Sequence, residues 1–548
     1  MSRSTPSFGR RRLLAGAGLG LAGIGGLTAL SGCGGSGPSA EISTEVADLP
    51  TYAPITEGPE PDLPGNGSVQ PAFFTAPQPD DLFRSVKDAQ APSMSDPVSA
   101  FVLSYAPPAP EDNSFLEEAR TRLGTDLKVQ ITPADSFSQK FATMVAGGDI
   151  PDLVEFLSFG LPPNNTQLLE AQFADLSDLV SGDAIADYPN LANIPAASWE
   201  SCRFNGRIYG VPIHRPPFGS PLIARPDLFA EITGEEPAPT SRDEFTEMLK
   251  AVTDPKAGRY AITGQSGGDS ISWGYDFMGA MHGVPNGWGL VDGKLVHRFE
   301  SEGWLPMLDY VKSLWDAGVY HPDTPSITNS QAKADLASGT SLLHQDGISA
   351  LLDTTSPETT YGAIVPFAAD GGPGILYQGS STFGFTAMKK ADEARLVGQL
   401  KILNYLAAPF GSEEAYFLQY GIEGEHHTRA ADGTLTRTDA GEAQIGPSAL
   451  NYLAAGPQVL STAVPMEDRL TRDHAFQTAA EPMLLKSPVA GLDSPTESKS
   501  SSASGAVLVA MDEYILGRDS LDAVTAAIDS WRSAVGDAIR EEYTAQLD

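Results

Sequence analysis

VSAFVLSYA, Val98 to Ala106, is an apolar run of strand length, and the residues after it repeat one pattern at short intervals. DNSFLEEARTRLG (Asp112–Gly124) follows. There, Ser114 with Glu117 three residues on predicts a capping box, Leu116, Ala119 and Leu123 share one helical face, and Gly124 predicts the stop. LKVQITP (Leu127–Pro133) alternates like a strand. DSFSQKFATMVAGG (Asp135–Gly148) predicts a second helix, with start signals at Ser136 and Gln139 and with Phe137, Phe141, Met144 and Val145 at helical spacing. DLVEFL (Asp152–Leu157) resumes the strand pattern. Strand, helix, strand, helix, strand at such intervals dictates a parallel sheet with crossover helices, and ligand crevices of such sheets open at the carboxyl ends of the strands.

Toward the carboxyl terminus the same grammar returns. Thr240 is the expected cap of a helix striped by Phe245, Met248, Leu249 and Val252, and VDGKLV (Val291–Val296) predicts a hairpin turning at Asp292-Gly293. WLPMLDYVKSLWDAG (Trp304–Gly318) and ARLVGQLKILNYLAAP (Ala394–Pro409) read as amphipathic helices. The Ser-rich SPTESKSSSASGA (Ser494–Ala506) interrupts them before a terminal helical pair. Toward the amino terminus, Gly34 to Asp96 is rich in Pro, Gly, Ser and acids, which reads as a linker partly strapped to the body through Phe73, Phe74 and Phe83.

Ahead of that linker lies a leader. Arg10 and Arg11 with Leu13 and Leu14 resemble the twin-arginine export pattern, and the uncharged stretch Leu13–Leu30 is diluted by six glycines, which suits an export signal better than a permanent span. Leu30-Ser31-Gly32-Cys33 resembles a bacterial lipobox, in which cleavage leaves the cysteine as the new terminus with its thiol acylated, for instance by palmitate. With only two cysteines, Cys33 and Cys202, neither a disulfide framework nor a cysteine metal cage is available. Loss of residues 1–32 removes four arginines and no acid, taking the formal charge from −35 to −39. Such a body is repelled by nucleic acid and by anionic headgroups, so a tethered domain held off the membrane is expected, with no nucleic-acid partner.

Three stretches gather chemistry-bearing residues. GQSGG (Gly264–Gly268) matches a nucleophile-elbow pattern, but no helix start follows Ser266, so chance in a glycine-rich loop is the better reading. EGEHHT (Glu423–Thr428) gathers acids and imidazoles without metal-ligand spacing, and DGTLTRTDAGE (Asp432–Glu442) lacks the acidic ladder of a calcium loop. Neither metal nor cofactor is expected. What stands out is aromatic residues in glycine-punctuated sequence: DSISWGYDF, GVPNGWGL and ILYQGSSTFGF. Aromatic faces suit the apolar faces of sugar rings, and amides, hydroxyls and charges fix the hydroxyl pattern. Trp273, Tyr275, Trp288, Tyr377 and Phe383 are therefore candidate ligand residues, joined by Ser381 and His427.

KFATMVAGGDIPDLVEF (Lys140–Phe156), FADLSDLV (Phe173–Val180), FNGRIYGVPIHR (Phe204–Arg215), the stretch from Ala224 to Asp254, YGIEGEHHT (Tyr420–Thr428) and the closing Tyr514–Tyr543 occur in an order that carries a resemblance. From about Val98 onward the chain resembles the extracellular solute-binding proteins of family 1, the capture lipoproteins of ATP-driven sugar importers, and particularly their large oligosaccharide-binding branch. The resemblance implies an α/β, two-lobed, periplasmic-binding-protein-like (type II) fold with crossing hinge strands in Asn205–Pro212 and Gly379–Phe385, with Gly210, Pro212 and Gly379 at the hinge. It places Glu155 and Arg215 where the cleft opens.

The implied organisation is a signal peptide (1–32), an anchored linker (33–96), a first lobe (97–210 and 379–430) and a second lobe (211–378, with 431–548 adding its remainder and the terminal helices). The implied protein is a monomer that hands a carbohydrate to the permease subunits of an ABC transporter without bond chemistry. It would sit on the outer face of the cytoplasmic membrane. An exported polysaccharide hydrolase or lyase and a sugar-sensing lipoprotein are the alternatives.

Overall fold

The computed structural model describes residues 46–547 apart from positions 111, 163, 268–269, 353–358 and 465. The leader and the lipidation expected at Cys33 lie outside the described residues.

Nine strands form the two main sheets: β1 (Val98–Ser104), β2 (Leu127–Pro133), β3 (Leu153–Leu157), β4 (Gly210–His214), β5 (Leu222–Ala224), β6 (Tyr260–Thr263), β7 (Ser341–Gln345), β8 (Gly362–Ala363) and β9 (Thr382–Met388). The first sheet has the order β2-β1-β3-β9-β4. β1 runs parallel to both neighbours, whereas β9 is antiparallel to β3 and β4, so β1 to β4 all end on the same edge. The second sheet, β8-β5-β7-β6, is mixed, and its parallel pair β6 and β7 share a carboxyl edge.

Helix α1 (Ser114–Leu123) begins one residue earlier than the expected capping box allows: the Asn113 side chain accepts the Leu116 N–H, and Ser114 turns outward to donate to Glu425. Its expected stop is in place, with Gly124 left-handed at φ 57°. Helix α2 (Ala134–Gly147) follows β2 directly, without a side-chain cap at its start, and the Ser136 hydroxyl only donates back to the Pro133 carbonyl. Phe137 and Phe141 from α2 stack with Phe101 of β1 in the first core. In the second lobe the helix Arg242–Val252 is capped by Ser241, one residue after the expected Thr240. Asp292 and Gly293, at φ 50° and 75°, turn the hairpin Trp288–His297 in two residues. The Ser-rich interruption is not a break: Ser501–Ile515 is a helix, with Val507, Met511 and Ile515 in the second core.

Each sheet organises one hydrophobic core. Residues Ile445 to Ala454 belong to the first core, so a boundary after 430 falls too early. The chain leaves the first lobe only near Ala455. The segment before β1 is also no free linker. Thr51 pairs with the Gly182 carbonyl, Phe83 with that of Gly411, and the buried Glu414 carboxylate accepts the N–H groups of Ser85 and Val86 as well as the Ser85 hydroxyl. Farther along, Gln70 exchanges two hydrogen bonds with Gln477, and Ala72–Phe73 pairs in parallel with Leu460–Ser461. This strap therefore touches both lobes.

Three segments connect the lobes. The first leaves β4 at Arg215, the second enters β9 after Gly379, and the third runs from Ala455 toward Leu460, its Ala455 carbonyl accepting the His214 N–H. Gly210 and Pro212, expected at the hinge, instead lie inside β4, buried and paired with Ala387 and Phe385. A Cβ at Gly210 would stand 2.4 Å from the Phe385 ring, so that glycine is needed for packing. Gly379 does lie in a crossing: its N–H donates to Pro217, and it faces Gly219, whose φ is 55°. A Cβ on Gly219 would lie 2.4 Å from the Tyr377 carbonyl, so the two crossings approach through bare backbone.

Candidate ligand-binding crevice

The carboxyl edges of both sheets look onto the same region. At the ends of the first-lobe strands stand Tyr105 after β1, Phe159 after β3 and Arg215 after β4, while Asp346 follows β7 of the second lobe. Arg215 lays its guanidinium over the Phe383 ring at 4.1 Å. Phe383 in turn meets Phe159 edge-on at 5.3 Å and Tyr452 at 5.2 Å, and Tyr452 leads on to Tyr105. From the other lobe, Lys333 on the helix Asn329–Ser338 pairs with Asp346 at 3.1 Å and stands 4.5 Å above the Tyr105 ring. A cation of one lobe thus covers an aromatic face of the other.

Phe159 is 64% exposed and Tyr105 37%, values that mark offered surfaces rather than core. Beneath them Glu155 is fully buried. One of its oxygens accepts the Leu103 N–H at 2.7 Å and the other has no hydrogen-bond partner. Burial holds its carboxyl well above the usual range, against the opposing pull of the Leu103 N–H and of Arg215. Ser381, left-handed at φ 58°, uses its carbonyl to receive both the Arg215 N–H and the Ser198 hydroxyl, which ties two crossings together behind the aromatic cluster.

The structure thus gathers Glu155, Arg215, Ser381 and Phe383, and separates them from the other candidates. Trp273 is fully buried, its indole N–H donating to Asp512 at 2.9 Å, and the Tyr275 hydroxyl reaches the same carboxylate. Trp288 is packed against His297, Trp531 and Tyr543. Tyr377 is buried and donates to the Val284 carbonyl. His427 is held between the Tyr420 carbonyl and the Tyr416 hydroxyl in the first lobe. These five correct the aromatic reading, because each ring spends its surface on a core or its polar atom on a neighbour. Tyr105, Phe159, Lys333, Asp346 and Tyr452 were missed. Phe159 alone carried a signal, standing two residues beyond the expected strand Asp152–Leu157, whereas Tyr105 falls inside the expected strand Val98–Ala106 and the strand before Asp346 is not among those expected.

Two motifs resolve as architecture. Ser266 lies in the hairpin pairing Gln265–Gly267 with Ser270–Ser272, and no helix departs from it as an elbow demands. His426 accepts the Ile422 N–H and its other nitrogen contacts Gln444. Among the described residues no three His, Cys, Asp or Glu side chains form a metal-binding group.

Comparison with known proteins agrees with this architecture. A model described as bacterial extracellular solute-binding protein matches residues 116–421. The chain belongs to that family. Among curated relatives of this solute-binding protein, the polygalacturonan/rhamnogalacturonan-binding protein YtcQ of Bacillus subtilis is 23% identical over 480 residues, covering 84% of this chain and 93% of the relative. Lipoprotein LipO of the same organism is 20% identical over 493 residues, covering 82% and 92%. Among solved structures, an HMO-binding, ABC-transporter-associated solute-binding protein from Bifidobacterium longum infantis has a TM-score of 0.59 at 15% identity, covering 83% of this chain and all of the other. The N-glycan transport solute-binding protein NgtS of Streptococcus pneumoniae, in complex with Man1GlcNAc, also reaches 0.59, at 14% identity and the same coverage. These solute-binding proteins share the two-lobed fold.

Proposed function

We propose that this solute-binding protein captures an oligosaccharide or related carbohydrate in the interlobe crevice and delivers it to the permease subunits of an ABC importer. The observation that carries the reading is the exposed Phe159 ring beside the Arg215–Phe383 stack, facing the Lys333–Asp346 pair of the opposite lobe. Aromatic faces and fixed polar groups on two walls are what a polyhydroxylated chain needs, and a ligand held by both lobes favours the closed form by its differential affinity. The polygalacturonan/rhamnogalacturonan binding of YtcQ and the Man1GlcNAc complex of NgtS support the same class. Phe159, Tyr105, Arg215, Phe383, Lys333 and Asp346 are assigned to contact, while Glu155 and Ser381 position them.

The protein works as a monomer, exported by the twin-arginine route and tethered through acylated Cys33, which keeps receptor and permease at high effective concentration. No bond is made or broken. Glu155 has the raised carboxyl a glycosidase acid requires, but it is sealed under the crevice and the nearby Asp346 is committed to Lys333.

The test is thermal unfolding of the full chain in detergent against a panel of oligosaccharides, galacturonan fragments included, with product analysis on every hit. Ligand at a hundred times its dissociation constant should stabilise the fold by about 2.7 kcal/mol. A shift with intact sugar supports capture, whereas cleaved sugar would replace it with hydrolysis, and no shift across the panel would remove carbohydrate as the class.

A further inference from the structure

A second cavity, of about 530 Å³, lies where the third crossing passes between the lobes. Its walls come from every part of the body. Gln70 belongs to the strap, Gln419, Arg437 and Asn451 to the first lobe, Gln458 to the crossing itself, and Ser349, Asp473 and Gln477 to the segments packed on the second sheet. None of the crevice residues assigned above lines it.

Asp473 makes this cavity more than a gap. It is 1% exposed on the helix Glu467–Ala480, and neither of its carboxylate oxygens has a hydrogen-bond partner. A buried carboxyl without a hydrogen-bond partner is destabilising in general, and a hydroxyl placed against it would relieve that. The rest of the lining narrows the chemistry. Gln70 and Gln477 hold each other, the Ser349 hydroxyl donates to the Gln458 side-chain amide oxygen, and Arg437 donates to the Gln419 backbone carbonyl. Amides present both donors and acceptors, which match vicinal hydroxyls. A guanidinium in the wall disfavours an ammonium ligand but donates to hydroxyl oxygens, and apolar groups such as Phe410 and Leu418 offer a face for C–H groups. Burial, partly opposed by Arg469 and Arg472, also lifts the Asp473 carboxyl to about 8, so a hydroxyl donor placed there would favour its charged form.

We infer that this cavity is a second solute site, taking one small neutral polyol or monosaccharide whose hydroxyls donate to Asp473. The site is independent of the crevice and of the importer reading. Because the third crossing forms one wall, the occupant would rest against the connection on which lobe movement depends.

Isothermal titration of the full chain in detergent with glucose, galactose and myo-inositol tests it, using wild type, Asp473→Asn, Gln458→Leu and, as the crevice control, Arg215→Ala. Saturable binding is expected. Asp473→Asn should weaken it about tenfold, Gln458→Leu should also weaken it, and Arg215→Ala should leave it unchanged. Melting curves establish that each variant is folded. Absence of saturable binding in wild type would overturn the site, as would wild-type affinity in both cavity variants. Binding lost only in Arg215→Ala would assign the polyol to the crevice and overturn it equally. A separate oligosaccharide titration in the same variants reads the crevice, so failure of one reading is visible without the other.

Discussion

Arg215 and Phe159 carry the sharpest residue-scale expectations. Removing the Arg215 guanidinium strips a cation from the Phe383 face, and Arg215→Ala should weaken oligosaccharide binding by about tenfold. Phe159 is mostly exposed, so Phe159→Ala should lower affinity several-fold in titration calorimetry while leaving the melting temperature nearly unchanged. Trp288→Ala should do the reverse, losing about 3 to 5 kcal/mol of stability by denaturant titration. These opposite outcomes show what sequence hides. Trp273 and Trp288 sit among glycines that suggest loops, yet their burial is decided by Asp512 and Trp531, more than two hundred residues away. Exposure at Phe159 is set by the strand that ends before it, which the alternating pattern did reveal.

Two buried titrating groups give pH slopes of opposite sign. His214 is held neutral by burial, its value dropping from 6.5 to about 4, and it contacts the Ser198 hydroxyl. As pH falls below 6.5 the unfolded chain takes up that proton first, so this contribution is lost progressively toward pH 4. Asp473 behaves oppositely. Its folded value of about 8 exceeds 3.8, so the stability it contributes is full below pH 3.8 and disappears as pH rises toward 8. In the unliganded protein, Asp473→Asn should therefore raise the melting temperature at pH 8 and leave it almost unaltered near pH 4.

At the scale of elements, the crossings and the strap are the parts to test. Gly219→Ala places a Cβ against the Tyr377 carbonyl in a left-handed backbone, and a loss of about 1 to 3 kcal/mol is expected, read by chemical denaturation. Glu414→Ala would strand two buried N–H groups of the strap and should cost about 2 kcal/mol or more in the same measurement. The alternating elements from Val98 to Leu157 were legible because local periodicity and turn residues agree with the fold. Caps were misplaced by one residue, at Asn113 for Ser114 and at Ser241 for Thr240, since neighbouring polar residues can all accept from a helix start. The strap read as a linker because it is rich in Pro, Gly, Ser and acids and carries no sustained periodicity. Its fastening combines apolar packing at Val69, Phe73 and Val86 with polar contacts to Glu414 and Gln477, partners that lie far away in the chain.

For the whole molecule, the two cores and three crossings make lobe rotation the expected response to solute. Small-angle scattering should show a smaller radius of gyration with bound oligosaccharide in wild type, and Arg215→Ala should need about ten times more ligand to reach the same change. The large negative charge makes encounter with acidic solutes dependent on ionic strength, so their association should quicken as salt is added.

The strap adds a mechanical asymmetry. Its earliest described hydrogen bonds, from Ala47 to Gly206 and from Thr51 to Gly182, fall on the first lobe. Load arriving from the amino-terminal side is therefore taken up there, before it reaches the crossings. The first lobe is the stator of the machine and the second its swinging arm, so in a protein attached by its amino terminus to a surface, solute-driven displacement should be recorded by labels on the second lobe.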